Sequence, residues 1–130
     1  VILDLLAHRV PHFHFSALLF TFGDMNKIEL YTSPTVFFYV FYILRKELGI
    51  EKAKESLRKL RLIVKVIDSS EKTIDSALNS VFSDFEDAIQ YYTAQNHQIS
   101  TIVTRNLKDY KVDGIVVQTP EMFLCSAGLL

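Results

Sequence analysis

Short apolar segments rich in β-branched residues alternate with helical patterns along most of this chain, and this alternation leaves few possible folds. Strands are predicted at residues 28–31, 62–67, 100–104 and 115–117. Helices are predicted at residues 1–9, 13–22, 34–48, 51–60, 73–81 and 83–96, with a last helix from residue 120. Such an order is typical of a parallel sheet covered by helices. The sequence therefore predicts an α/β fold, a three-layer α/β/α sandwich with a central, mainly parallel sheet.

Length and composition favour one intracellular domain. The chain has 130 residues, 49% of them apolar, and shows no repeat or linker, so a single domain over residues 1–130 is expected. The net charge of -1 gives no evidence of a long basic surface. Cys125 is the only cysteine, so no intrachain disulfide forms, and no apolar run approaches the about 20 residues that span a bilayer. We expect a cytoplasmic protein without a membrane segment.

Helix ends and helix faces are readable in the first half of the chain. Ser33 and Pro34 predict an N-cap and a first turn, and Gly49 predicts a helix end. An apolar stripe is expected in the next helix at Ala53, Leu57 and Leu60. The aromatic run 37–42 is apolar around most of its helix, more than a core requires. A homodimer interface, or a groove for a helix of a partner protein, would use the remainder.

An acidic helix start is the most informative motif. Asp84, Glu86 and Asp87 fall within four residues, and Asp84 and Asp87 share a neighbouring helical face. Two like charges held close favour a divalent cation between them. The alternative is helix capping, because Ser83 and Glu86 match the capping box and acids favour helix N-termini. Capping is the stronger interpretation for Glu86, metal binding is the stronger one for Asp87 once the next motif is added, and Asp84 is left open between the two. The core side of this helix is predicted to hold Phe85, Ala88, Ile89 and Tyr92.

A second polar motif follows the next strand. Thr104, Arg105 and Asn106 come directly after an apolar strand, and Asp109 follows three residues later. Ligand sites of α/β sheets lie outside the carboxyl ends of the strands, where these groups would collect. A capped turn around Asn106 is the structural alternative. Together with the acidic helix, the motif predicts that Asp87 and the segment after Thr104 meet at one negatively charged site.

With these motifs in place, the chain resembles the PIN domain family, in particular the toxin-type nucleases of prokaryotic toxin–antitoxin pairs. Asp87-Ala88-Ile89 with Ala94 resembles the family's second acidic motif. The segment 104–110 resembles the third, usually Thr-Arg-Asp-x-x-Asp-Phe, and 119–124 resembles the closing helix. The resemblance implies a metal-dependent endoribonuclease acting on RNA, an antitoxin partner and a homodimer.

The chain departs from the family pattern at several positions. The family's first aspartate would fall three positions before Val1, so the opening strand and the Asp-x-Asn motif are expected to be missing from residues 1–130. Tyr39 stands where the family has a glutamate, and Asn106 where it has an aspartate. An asparagine coordinates through its carbonyl oxygen but adds no negative charge.

The resemblance also implies roles for individual residues. Mg²⁺ or Mn²⁺ is the expected cofactor, with Asp87 as first ligand, Asp109 as second and Asn106 in support. Asp84 is expected to position water, Thr104 and Arg105 to orient the site or hold a phosphate, and Asp4 to lie near the site or on a solvated helix face. Two alternatives remain open: a catalytically weakened relative that binds RNA or protein, and an unrelated interaction module whose acids only cap helices.

Overall fold

The computed structural model describes residues 1–110 and 114–130, and for Asp109 it describes the backbone alone. These residues form two compact units, Val1–Ile67 and Asp68–Leu130. Each unit contains helices and a pair of parallel strands. A helix of the length and apolar character needed to cross a bilayer does not occur within the described ranges.

The first unit places two helices between its paired strands. Its elements are α1 (Ile2–Leu6), α2 (Phe13–Asp24), β1 (Leu30–Thr32), α3 (Pro34–Leu48), α4 (Ile50–Ile63) and β2 (Val64–Val66). Strands β1 and β2 run parallel, with Leu30 opposite Val64 and Thr32 opposite Val66. Parallel neighbours need a crossover connection, and α3 with α4 supplies it. The predicted α/β class with parallel strands is confirmed.

Apolar clusters hold the first unit together. Their buried members are Phe20, Leu60 and Val64 in one cluster, and Val40, Leu44 and Ala53 in the other. The predicted stripe of α4 is confirmed, because Ala53 and Leu60 are buried and Leu57 packs against both clusters. Burying a leucine side chain stabilises a fold by about 1.5–3 kcal/mol. These contacts therefore anchor α4 to the rest of the unit.

Helix α3 divides its aromatic run between the core and the surface. Val40 is buried, whereas Tyr39 and Tyr42 are exposed and Phe38 is 76% exposed. The cations of Arg45 and Lys46 lie 5.3 and 4.4 Å from the centre of the Tyr42 ring. Ser33 and Gly49 flank the helix as its caps, as the sequence predicts. Part of the run thus fills the core and part faces outward.

The boundary between α4 and β2 differs from the prediction. Residues 62–67 were predicted as strand, but α4 continues to Ile63 and the strand covers only Val64–Val66. Leucine is a good helix former, and Leu62 extends the helix although its side chain is 87% exposed. The Arg61 guanidinium donates to the Val64 carbonyl oxygen at 3.2 Å, where the chain becomes extended. Local helix propensity therefore outweighed the β-branched composition at this junction.

The second unit carries the acidic helix and the polar strand end. Its elements are α5 (Glu71–Leu78), α6 (Phe85–Asn96), β3 (Thr101–Val103), a 3-10 turn (Leu107–Asp109), β4 (Val116–Gln118) and α7 (Pro120–Ser126). Strands β3 and β4 run parallel, with Thr101 opposite Val116. Both lie within two residues of their predicted positions. The backbone N–H of Thr104 donates to Gln118 and prolongs this pairing by one bond.

Helices α5 and α6 pack through apolar residues and buried hydroxyl groups. Ala77, Ala88 and Ile89 form the buried cluster between them. Ser70 caps α5 in a capping box with Thr73, so the helix starts earlier than the predicted residue 73. The Thr73 hydroxyl also accepts a hydrogen bond from the Asn96 amide at 3.1 Å. Satisfied buried hydroxyls of this kind set the relative placement of the two helices.

Candidate functional site

Asp84 starts α6 as its N-cap. The backbone N–H of Asp87 donates to Oδ1 of Asp84 at 3.0 Å, and the Asp84 backbone is extended, as in N-cap residues generally. The predicted capping box of Ser83 and Glu86 is therefore wrong. A carboxylate is a stronger acceptor than a hydroxyl and also interacts favourably with the helix dipole. Glu86 lies in the first turn without the capping role that the sequence favoured for it.

The core side of α6 is largely as predicted, with one exception. Ala88 and Ile89 are buried and Tyr92 packs against their cluster, but Phe85 is 49% exposed. Side chains of a helix lean toward its N-terminus, so a residue in the first helical position leans beyond the helix end. Phe85 therefore projects past the core, and Tyr91 is buried in α6 as well.

Asp87 is joined to the segment that follows Thr104. The Tyr110 hydroxyl donates to Oδ1 of Asp87 at 2.9 Å, and Tyr110 comes directly after the 3-10 turn. Tyr110 is only 8% exposed and Asp87 is partly buried. The start of α6 and the segment after Thr104 thus meet in the second unit, as the two motifs predict. The contact runs through a tyrosine that the sequence motifs did not single out.

The residues directly after β3 form a compact turn. The Thr104 hydroxyl accepts a hydrogen bond from the backbone N–H of Asn106 at 3.1 Å. Asn106 has an ordinary negative φ of -99°, and the side chains of Arg105 and Asn106 are exposed. The turn is capped by the Thr104 hydroxyl, so a capped turn is present. The unusual backbone angle expected at Asn106 is not observed. Arg105 and Asn106 are accessible to a ligand from solvent.

The start of α6 is a site of negative potential. Partial burial raises the pKa of the Glu86 carboxyl above its ordinary value, and the charges of Asp84 and Asp87 raise it further. Burial also raises the pKa of the Tyr110 phenol, and the carboxylate of Asp87 adds to the effect. Tyr110 therefore remains a protonated donor at neutral pH. Besides burial, the acidic neighbours contribute to both pKa shifts, which is the effect expected of like charges held close together.

The donor chemistry of this site suits a hard divalent cation. Carboxylate oxygens are the ligands that Mg²⁺ and Mn²⁺ prefer, and Mg²⁺ commonly takes only one or two protein carboxylates with water and substrate phosphates. Among the side chains that the structure describes, which do not include that of Asp109, no three His, Cys, Asp or Glu are grouped closely enough to hold a metal. Asp109 ends the 3-10 turn next to Tyr110, but its side chain lies outside the described residues. Asp87 fits the role of a carboxylate ligand, and Asp109 stays a prediction.

The remaining predicted site residue lies in the first unit. Asp4 is in α1 and is fully buried, so the interpretation as a solvated helix residue is wrong. The Val1 amino group lies 3.5 Å from its carboxylate. Tyr39, which the resemblance is expected to place at the family's glutamate position, is exposed on α3. The assignment of Asp4 to the site stays a prediction.

Sequence reasoning left Asp84 open between helix capping and metal binding, and it missed the contact made by Tyr110. Aspartate is as good an N-cap as serine, so residue type alone did not decide whether Ser83 or Asp84 caps the helix. The signal for Tyr110 was weaker: a phenol directly after an acidic motif, in a segment expected to approach another carboxylate. A buried tyrosine hydroxyl usually finds a hydrogen-bond partner, but sequence does not say which one.

Comparison with known proteins agrees with these features. A family model described as "PIN domain" matches residues 1–108. A curated relative, Ribonuclease VapC1 of Aquifex aeolicus (strain VF5), is 25% identical over 126 residues, which cover 93% of this chain and 87% of the relative. No solved structure matches the chain.

Proposed function

The chain belongs to the PIN domain family, and from that premise we propose that it is a metal-dependent endoribonuclease that hydrolyses RNA phosphodiester bonds. The ribonuclease named among its relatives supports this activity. The observation that carries the proposal is the contact of 2.9 Å between Tyr110 and Asp87. It brings the polar segment after β3 to the acidic start of α6, where the pKa of Glu86 is raised.

Asp87 is the first ligand in the proposed site. Asp109 is the second carboxylate, and Asn106 supports them through its carbonyl oxygen. When bound, Mg²⁺ or Mn²⁺ lowers the pKa of water and stabilises the charge of the transition state. Asp84 holds the Asp87 backbone through the helix cap and orients water with its carboxylate. Asp4 is proposed as a further acidic residue that takes part in catalysis.

Thr104 and Arg105 are the proposed substrate contacts. The Arg105 side chain is exposed after β3, and a guanidinium binds a phosphate through two parallel hydrogen bonds. The Thr104 hydroxyl holds the turn that presents it, by accepting from the backbone of Asn106. In this proposal, RNA phosphate binds at the same segment that contains Asn106 and Tyr110.

We further propose that the protein acts in the cytoplasm as the toxin of a toxin–antitoxin pair. The exposed aromatic side chains of α3 support a protein partner, because Phe38, Tyr39 and Tyr42 give this helix an uncovered apolar face. A second copy of the chain, or an antitoxin helix, would cover that face.

An RNA cleavage assay with Mn²⁺ tests the proposed activity. The natural full-length protein is compared with Asp87→Asn and with Asp75→Asn, a matched control whose exposed carboxylate lies on α5 of the same unit. We expect wild type and control to cleave RNA, EDTA to abolish cleavage, and Asp87→Asn to lose on the order of 100-fold or more with an unchanged circular dichroism spectrum. Undiminished cleavage by Asp87→Asn would remove Asp87 from the mechanism.

A second candidate function is a non-catalytic PIN domain that binds RNA or protein. Tyr39 and Asn106, both uncharged at positions where the family has acids, favour it. This alternative predicts RNA binding that is unaffected by Mn²⁺ and by Asp87→Asn, without cleavage. A filter-binding assay run beside the cleavage assay separates the two functions.

A further inference from the structure

Tyr110 combines an apolar ring contact with a polar contact to an acid. Its ring packs edge-on against Phe82, with centroids 5.7 Å apart and planes at 77°. Its hydroxyl donates to Oδ1 of Asp87 at 2.9 Å. A phenylalanine would fill the ring position equally well, so packing alone does not account for the hydroxyl. The hydroxyl places a buried donor against the carboxylate at the start of α6.

Asp87 is held at both its backbone and its side chain. The Asp84 carboxylate accepts from the Asp87 backbone N–H, and the Tyr110 hydroxyl donates to the Asp87 side chain. Rotation about the side-chain bonds of Asp87 would break the second contact and leave a buried phenol unsatisfied, which is costly. The hydrogen bond therefore favours the orientation in which Oδ1 of Asp87 faces Tyr110.

We infer that Tyr110 is a positioning residue that orients the Asp87 carboxylate for binding a divalent cation, an inference that rests on the proposed function. Hydrogen-bond partners of metal ligands typically change metal affinity or activity by about 10–100-fold when they are removed. Tyr110 acts through Asp87 and does not itself contact the cation. Its hydroxyl donates to Oδ1 of Asp87, so it acts on the orientation of that carboxylate.

The chain offers a matched control in the same aromatic cluster. Tyr92 also contacts the Phe82 ring, with centroids 6.4 Å apart, but its hydroxyl makes no hydrogen bond to a described residue. Tyr110→Phe and Tyr92→Phe each remove one phenolic oxygen and leave the ring. A general effect of losing a phenol near Phe82 would appear in both variants. An effect through Asp87 would appear only in Tyr110→Phe.

The test is Mn²⁺ binding by the full-length protein, followed by electron paramagnetic resonance of free Mn²⁺. We expect Tyr110→Phe to raise the dissociation constant about tenfold and Tyr92→Phe to leave it unchanged. In cleavage assays, the half-saturating Mn²⁺ concentration should rise equally, while the KM for RNA at saturating Mn²⁺ stays the same. Thermal unfolding of both variants shows whether they remain folded.

The outcomes separate this inference from the proposed function. Wild-type affinity in Tyr110→Phe, or an equal loss in both variants, would overturn the positioning role. Mn²⁺ binding that depends on Tyr110 without any RNA cleavage would overturn the proposed activity and keep the positioning role. Absence of Mn²⁺ binding by the wild type would overturn both.

Discussion

Individual residues at the start of α6 combine structural and proposed functional roles. Asp84 is the helix cap, and its charge adds to the effect of burial in raising the pKa of Glu86. Asp87 accepts from Tyr110 and supplies the backbone N–H that Asp84 caps. Capping and metal binding, weighed as alternatives from the sequence, are therefore compatible in the same acidic cluster.

The sequence predicted the meeting of two segments but not the atoms through which they meet. The acids of α6 and the polar residues after β3 were visible as motifs, because residue type and spacing carry that information. The contact itself depends on the depth at which Tyr110 is buried, which arises from packing against Phe82. Side-chain packing between distant segments is not encoded in any local pattern.

The raised pKa of Glu86 predicts a pH-dependent stability difference. With a folded pKa above the unfolded one, the folded state binds more protons, so this residue's contribution falls as the pH rises from about 4.5 through the folded pKa. Glu86→Gln should remove that decline. The difference should stay below about 1 kcal/mol, because the side chain is largely exposed and its charge is screened.

Urea unfolding at a series of pH values, in EDTA, measures this difference between wild type and Glu86→Gln. The two proteins differ at residue 86 alone, so the comparison isolates that residue. A difference in unfolding free energy that stays constant across the acidic range would contradict the raised pKa of Glu86.

At the scale of the elements, the helices were predicted more closely than their ends. Stripes such as Ala53, Leu57 and Leu60 identify a helix because many residues contribute to the pattern. An end depends on one or two residues, and adjacent candidates compete, as Ser83 and Asp84 do. For a similar reason, the observed strand is shorter than the predicted strand at 62–67, because α4 continues through Leu62 to Ile63.

The cap of α6 gives a paired prediction. Asp84→Ala removes the acceptor of the Asp87 backbone N–H and should lower the free energy of unfolding by about 1 kcal/mol. Ser83→Ala, one residue earlier at an exposed position, should change it by less than about 0.5 kcal/mol. Chemical denaturation in EDTA measures both. A larger loss for Ser83→Ala than for Asp84→Ala would restore the serine cap.

The close approach of α2 to β1 gives a second prediction at this scale. A Cβ atom at Gly23 would lie 2.5 Å from Cδ1 of Leu30 and 3.3 Å from Cγ2 of Ile63. Gly23→Ala should therefore destabilise the protein by about 1 kcal/mol net, because crowding exceeds the gain in helix propensity.

A double-mutant cycle with Leu30→Ala checks the cause of that loss. Removing the Leu30 side chain relieves the crowding, so Leu30→Ala should cost about 1 kcal/mol less in the Gly23→Ala protein than in the wild type. Additive losses would mean that the glycine is required for another reason.

At the scale of the whole molecule, the alternation of strands and helices was sufficient to predict the α/β class. Parallel pairing of β1 with β2 and of β3 with β4 follows from helices or long connections between strands. The register of each pair was not predictable, because three-residue strands carry too few side chains to specify it. The prediction of a single domain over residues 1–130 stays a prediction.

The exposed face of α3 predicts self-association. We expect the wild type to sediment as a homodimer and Phe38→Glu to sediment as a monomer, since a charge on that face opposes apolar contact. Val81→Glu places the same charge at a residue that is 91% exposed outside α3 and serves as control. A monomeric wild type, or a dimeric Phe38→Glu, would contradict self-association through this face of α3.

Calorimetric titration with Mn²⁺ tests most directly whether the acidic start of α6 binds a divalent cation. We predict heat of binding for the wild type and for Asp75→Asn, and a dissociation constant at least about tenfold higher, or no heat, for Asp87→Asn. Binding by Asp87→Asn with the affinity of the wild type would place the metal elsewhere and contradict the proposed site.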